Sequence, residues 1–164
     1  LHLMGDVATV SAETRLVAHH GIEVEDTAVA LLAFSSGALG TIQGSTACWS
    51  ATGHPAEIQI CGEKGSVFMT DDRFRVWEFA DEMPEDARIR AEFGLDATAA
   101  GAGAADPAAI DFTWHQKNFE DVVAAIGGGR APAIDGREAR RAVRLIEAVY
   151  RSARNDGRKE RVSG

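Results

Sequence analysis

Thr27-Ala28-Val29-Ala30-Leu31-Leu32-Ala33-Phe34-Ser35-Ser36-Gly37 carries more of the fold than any other segment. Its Val, Leu and Phe favour pleated backbone, and it is apolar at both parities. Ala28, Ala30, Leu32 and Phe34 fall on one side, Val29, Leu31 and Ala33 on the other. A strand apolar on both faces is buried on both faces. Helices of the same chain can cover one face; something else must cover the other. Ser35-Ser36-Gly37 offers turn chemistry for a hairpin. The return strand, Ala38 to Cys48, sets Thr41, Gln43 and Ser45 against Gly40, Ile42, Gly44 and Thr46.

Upstream, Val7 to Leu16 alternates with Val and Thr well represented, a long strand ended by His19-His20-Gly21. Downstream, Ala56 to Cys61, Ser66 to Thr70 and Phe74 to Phe79 are separated by Gly62-Glu63-Lys64-Gly65 and by Asp71-Asp72. Six strands within 6–79, joined mainly by short turns, predict an antiparallel meander. Residues 80–109 pass from acidic residues into an Ala- and Gly-rich run, read as a long flexible loop.

Two helices are expected over 110–156. In the first, Phe112, His115, Phe119, Val122, Val123 and Ile126 recur at helical spacing, with Gly127-Gly128-Gly129 ending it. Asp135 starts the second, with Glu138 placed for a capping box and an apolar stripe of Ala139, Ala142, Val143, Ile146 and Val149. A short final strand is expected over 159–163. Strands first and helices last give an α+β class: an open, mostly antiparallel sheet of about six strands, two C-terminal helices on one face, the other face available for dimerisation.

The 164 residues and 17.4 kDa suit one domain, 1–164, with one core, and exclude a complete two-domain dehydrogenase. The first residue is Leu1, which we read as a removed leader or a piece of something longer. The longest apolar run, Ala28 to Phe34, falls far short of the ~20 residues a membrane helix needs. No signal-peptide pattern stands out, so a cytoplasmic protein is expected, with Cys48 and Cys61 as two buried, reduced thiols. Net charge is −8; residues 137–164 carry nine Lys and Arg against four Asp and Glu, leaving −13 for residues 1–136. That balance opposes nucleic-acid binding.

No complete catalytic constellation is present. Gly101-Ala102-Gly103-Ala104-Ala105-Asp106 mimics a dinucleotide fingerprint, but Asp106 takes the third-glycine position, where a carboxylate repels phosphate, and Pro107 follows. His19, His20, His54, His115, Cys48 and Cys61 lack the short fixed spacing of a zinc motif, so no metal site is expected. There is no Gly-x-Ser-x-Gly elbow. Trp49 and His54 bracket a loop at 46–55, where an aromatic and a hydrogen-bonding ring can line a pocket; they are the substrate-facing candidates.

Several segments in order resemble one family. They are Glu25-Asp26-Thr27, then Phe34-Ser35-Ser36-Gly37-Ala38-Leu39-Gly40-Thr41-Ile42, then Ile58-Gln59-Ile60-Cys61-Gly62-Glu63-Lys64-Gly65. Phe119-Glu120-Asp121-Val122-Val123-Ala124-Ala125-Ile126, Asp135-Gly136-Arg137-Glu138-Ala139 and Ile146-Glu147-Ala148-Val149-Tyr150-Arg151-Ser152-Ala153 complete the set. Together they resemble the C-terminal domain of the Gfo/Idh/MocA oxidoreductases (glucose–fructose oxidoreductase and inositol dehydrogenase).

The resemblance implies a parent enzyme with an N-terminal Rossmann domain for NAD or NADP. This domain would supply contacts to a sugar or polyol and the homo-oligomer interface. The family's catalytic lysine, in Glu-Lys-Pro, belongs to the cofactor domain and has no counterpart here. Leu1-His2-Leu3-Met4-Gly5 resembles the last turn of the helix that carries the family's substrate-site Asp and His, and His2 does not take their role. The expectation is therefore a substrate-binding and oligomerisation domain that binds no cofactor itself and is inactive alone. The competing expectation is a stand-alone dimerising interaction module without catalysis.

Overall fold

The computed structural model describes residues 1–51, 53–94 and 112–162. The chain forms two compact units, Leu1–Cys48 with Thr113–Gly164, and Trp49–Phe112.

The first unit holds β1 (Val7–Arg15), β2 (Thr27–Phe34), β3 (Leu39–Ser45), α2 (Thr113–Gly128), α3 (Gly136–Arg154) and β7 (Glu160–Arg161), and the second holds β4 (Glu57–Gly62), β5 (Gly65–Thr70), β6 (Arg73–Phe79) and α1 (Pro84–Phe93). The expected α+β class and antiparallel pairing hold. The strands, however, divide over two sheets, β3-β2-β1-β7 and β4-β5-β6, instead of one meander.

In the first unit α3 lies across the sheet, and Val7, Val10, Ala12, Ala30 and Leu32 meet Leu145 and Ala148 in one core. The hairpin at Ser35-Ser36-Gly37 closes through Phe34 N to Ala38 O at 2.9 Å, with Gly37 at φ +92, a backbone that glycine adopts without strain. Among the described residues, strand β7 pairs with β1 at Thr9 and Val10. Beyond it, the Ala12 N–H on the sheet margin donates to the fully buried Ser152 Oγ at 2.9 Å, and that hydroxyl donates to Arg158 O at 2.6 Å. One serine thus satisfies a strand donor and fixes the C-terminal turn against it.

Asp135 caps α3 by accepting from Arg137 N and Glu138 N. Glu138 turns away from the cap and holds Arg141. The buried side of α3 is Leu145, Ala148 and Ser152, whereas Ala139, Ala142, Val143 and Ile146 of the expected stripe are exposed. Sequence periodicity found an apolar arc wider than the sheet can cover and centred it on the wrong side. The two helices also differ in packing: α2 buries only Ala125 and leaves Phe119, Val122, Val123 and Ile126 exposed.

The second unit is a three-stranded meander. Trp77 packs against Phe74 and Phe79 at ring distances of 4.6 and 5.3 Å. Residues 80–109, expected as a flexible loop, contain α1. Its start is pinned by the buried Asp86 carboxylate, which accepts from Met83 N at 2.6 Å and Trp77 Nε1 at 2.8 Å. Residues 95–109, including the Gly101–Asp106 mimic, lie outside the described residues. Cys48 and Cys61 are free but exposed, against the expectation that they are buried.

Candidate functional site

The register of the first sheet sorts its residues by face. Val10, Leu32 and Gly40 align across the sheet, as do Ala12, Ala30 and Ile42, and these look toward α3. The opposite face carries Ser11, Leu31 and Thr41 in one row and Glu13, Val29 and Gln43 in the next. Thr9, Ala33 and Leu39 make a third. Strand β2 is interior to this sheet, yet Leu31 is 55% exposed and Val29 48%. Because β1 and β3 flank β2, these side chains stand in the middle of the face and not at its margin. The result is an apolar centre rimmed by polar side chains, with no element over it among the described residues of the first unit.

One end of that face is held by a buried carboxylate. The Asp26 side chain is fully buried. Its Oδ2 accepts from Ala18 N at 2.8 Å, His19 N at 3.0 Å and His19 Nδ1 at 3.1 Å, and its Oδ1 from Val17 N at 2.9 Å and Thr27 Oγ1 at 3.2 Å. These donors, the His19 N–H foremost and then that of Ala18, hold the carboxyl far below its usual range, outweighing the opposing effect of burial. The backbone of Asp26 adds bonds to Arg15 O at 3.1 Å and from Thr46 N at 2.9 Å, and Thr27 Oγ1 meets Ser45 Oγ at 2.9 Å. The ends of β1 and β3 and the start of β2 are therefore tied at one residue. Sequence reasoning quoted Glu25-Asp26-Thr27 without giving Asp26 a task; an acid just before an apolar strand and after a turn was the available signal.

Beside this knot, the 16–25 turn and the end of α3 form a cleft of about 520 Å³. Tyr150 OH donates to Glu25 Oε1 at 2.8 Å, which pushes the phenol pKa up, and the Arg154 guanidinium lies 5.7 Å from the ring centre. These contacts close the turn onto the helix.

Trp49 and His54 belong to the second unit, on one short loop. Ser50 Oγ donates to Gly53 O at 3.0 Å between them. Trp49 is 87% exposed and His54 is exposed as well, so the loop presents both rings to solvent. Among the described residues no group of three or more His, Cys, Asp or Glu is placed to hold a metal. His19 is engaged by Asp26. No described helix is long and apolar enough to cross a membrane.

A dinucleotide needs a parallel strand–turn–helix unit whose helix N-terminus faces the pyrophosphate. Both sheets here are antiparallel. The described residues do not fit a nicotinamide dinucleotide.

Residues 1–161 match the profile of the oxidoreductase family C-terminal alpha/beta domain, Gfo/Idh/MocA. The chain belongs to the Gfo/Idh/MocA oxidoreductase family. Among solved structures, this Gfo/Idh/MocA domain is similar to the WlbA dehydrogenase from Bordetella pertussis, in complex with NADH and UDP-GlcNAcA. The identity is 32% over 99% of this chain and 42% of that one, with a TM-score of 0.78. GenD2 from gentamicin A biosynthesis, in complex with NAD, is 26% identical over 98% of this chain and 43% of that one, with a TM-score of 0.62. An oxidoreductase from Agrobacterium radiobacter, in complex with NAD+, L-tartaric acid and magnesium, shares the fold at 24% identity and a TM-score of 0.67, over 98% of this chain and 45% of that one. The chain thus spans less than half the length of each of these relatives. No curated protein matches it.

Proposed function

We propose that this chain is the substrate-side and self-association domain of a cytoplasmic NAD(P)-dependent oxidoreductase acting on a sugar or polyol. The observation that carries the reading is the exposed apolar pair Val29 and Leu31 at the centre of an interior strand, with half-buried Ala33 beside them, which needs a cover of its own shape. A twofold mate supplies one, because a strand row placed against its own copy is self-complementary. The UDP-GlcNAcA bound by the similar WlbA dehydrogenase supports the substrate class, and the NADH of WlbA and the NAD of GenD2 support the cofactor. This domain contributes contacts and assembly; the proton and hydride chemistry belongs to groups it does not carry.

Light scattering at micromolar concentration is expected to give twice the 17.4 kDa chain mass. A monodisperse monomer would overturn the assembly part of the reading. Titration of the same chain with NADH is expected to show no saturable binding, since there is no phosphate-cradling turn among the described residues; saturation in the micromolar range would refute the division of labour.

Trp49 and His54 are the proposed substrate contacts. In the whole enzyme, Trp49→Ala and His54→Ala are each expected to raise KM about tenfold with kcat changed little, the signature of lost ground-state binding. An unchanged KM in both variants would remove the loop from the substrate site.

A further inference from the structure

The cleft beside the Asp26 knot is built wholly from the first unit, by the end of β1, the 16–25 turn and the end of α3. At about 520 Å³ it has the size of a small-molecule site. Tyr150 brings an acid and a base into it. At the hydroxyl end of the ring, Glu25 Oε1 accepts from the phenol at 2.8 Å. Over the ring face, the Arg154 guanidinium lies 5.7 Å from the ring centre. Among the described residues these two charges do not pair with each other, and neither has another ion-pair partner. Arg15, the other guanidinium of the cleft, is already held by Glu13 and by Thr14 O, each at 2.8 Å.

The turn supplies an apolar wall. Leu16, Ile22 and Val24 line the cleft and are 48%, 41% and 59% exposed, so a ligand seated there gains by covering them. The charges beside that wall select the ligand. A simple anion answers Arg154 but meets Glu25, and Glu23 on the same turn adds to the repulsion. A simple cation answers the carboxylates and is repelled by Arg154. Because Glu25 and Arg154 flank one phenol, a ligand that satisfies both carries its own opposite charges close together. We propose that the cleft binds a free α-amino acid with an apolar side chain. Its carboxylate meets the Arg154 guanidinium, its ammonium group meets Glu25 Oε2, and its side chain covers Leu16, Ile22 and Val24. This site is independent of the function proposed above, which stands whether or not the cleft binds.

The test is an NMR titration of the 164-residue chain with L-leucine, following backbone amide shifts. Saturable shifts confined to the 16–25 turn and the end of α3 are expected, with a Kd of about 1 mM, ordinary for so small a ligand. Two probes that each lack one charge identify the seats. Leucinamide has no carboxylate and isocaproate has no ammonium group, and each is expected to bind about tenfold more weakly than leucine. Arg154→Gln is expected to weaken leucine about tenfold and to leave leucinamide unchanged. Glu25→Gln, whose amide oxygen still accepts from Tyr150, is expected to weaken leucine by a similar factor and to leave isocaproate unchanged. No shift in the cleft at about 20 mM leucine overturns the proposal, as do saturable shifts confined to other residues. Isocaproate or leucinamide binding as tightly as leucine also overturns it, because one charge would then suffice. The probe series uses the unsubstituted chain and decides the matter even if a variant misfolds.

Discussion

Leu31→Glu is expected to turn the self-associated protein into a monomer. Leu31 stands at the centre of the outer sheet face, between Ser11 and Thr41, and in a twofold interface each substitution is present twice. Enclosing an unpaired carboxylate costs several kcal/mol even after relaxation, and here two of them would lie close together. A loss of roughly 4–6 kcal/mol weakens association at least a thousandfold. The same side chain is more than half exposed in the single chain, so the fold should tolerate the change, with circular dichroism and Tm close to the parent. Arg140→Glu, on the charged flank of α3, is the matching control and should leave the mass unchanged. Persistence of the dimer in the Leu31 variant would mean that the interface lies elsewhere.

Asp26→Asn tests the knot at the end of that face. The carboxylate accepts five hydrogen bonds and both oxygens are used. An amide must aim its NH₂ at donors whichever way it is turned, three on one side and two on the other. A fall in Tm of roughly 5–10 °C is expected. The pH dependence gives a second readout. The folded state holds this carboxyl well below its ordinary value of 3.8, so on acidification the unfolded chain binds the proton first. The stabilisation is complete above about pH 5 and fades as the pH falls below about 4. The gap in Tm between parent and variant should therefore be constant from pH 5 to 8 and narrow steadily below pH 4. A gap of equal size at pH 7 and pH 2.5 would show that the carboxylate's charge contributes nothing.

The strands were legible because their signals are local. Alternation in Val7–Arg15, the turn at Ser35-Ser36-Gly37 and the two-sided apolar run of β2 each act over a few residues, and each formed where expected. What stayed hidden depends on partners distant in sequence. The division into two sheets follows from pairing, which no single strand encodes. The covered side of α3 was misplaced because its apolar arc is wider than its contact, and Ser152, as fully buried as Val10 and Ala148, reads as polar in a periodicity count. Helix α1 was missed because Asp86 and Trp77 stabilise it by a tertiary bond, while its own sequence is rich in charge. Trp49 and His54 stood out in the sequence as ring chemistry between strands, and both are exposed on one loop. The Asp26 knot did not stand out, since its donors are mostly backbone N–H groups that any sequence possesses.

The pairing of Thr9 with Arg161 has a consequence for biosynthesis. Strand β1 leaves the ribosome long before its cover, Leu145 and Ala148, and its neighbour β7. Until those residues emerge, Val7, Val10 and Leu32 have no lid, and the nascent β1–β2–β3 sheet is a sticky intermediate. The β4–β5–β6 meander, whose contacts are short in sequence, can close first while translation continues. Translation pauses or truncations before Leu145 should therefore yield aggregates, not a smaller soluble domain.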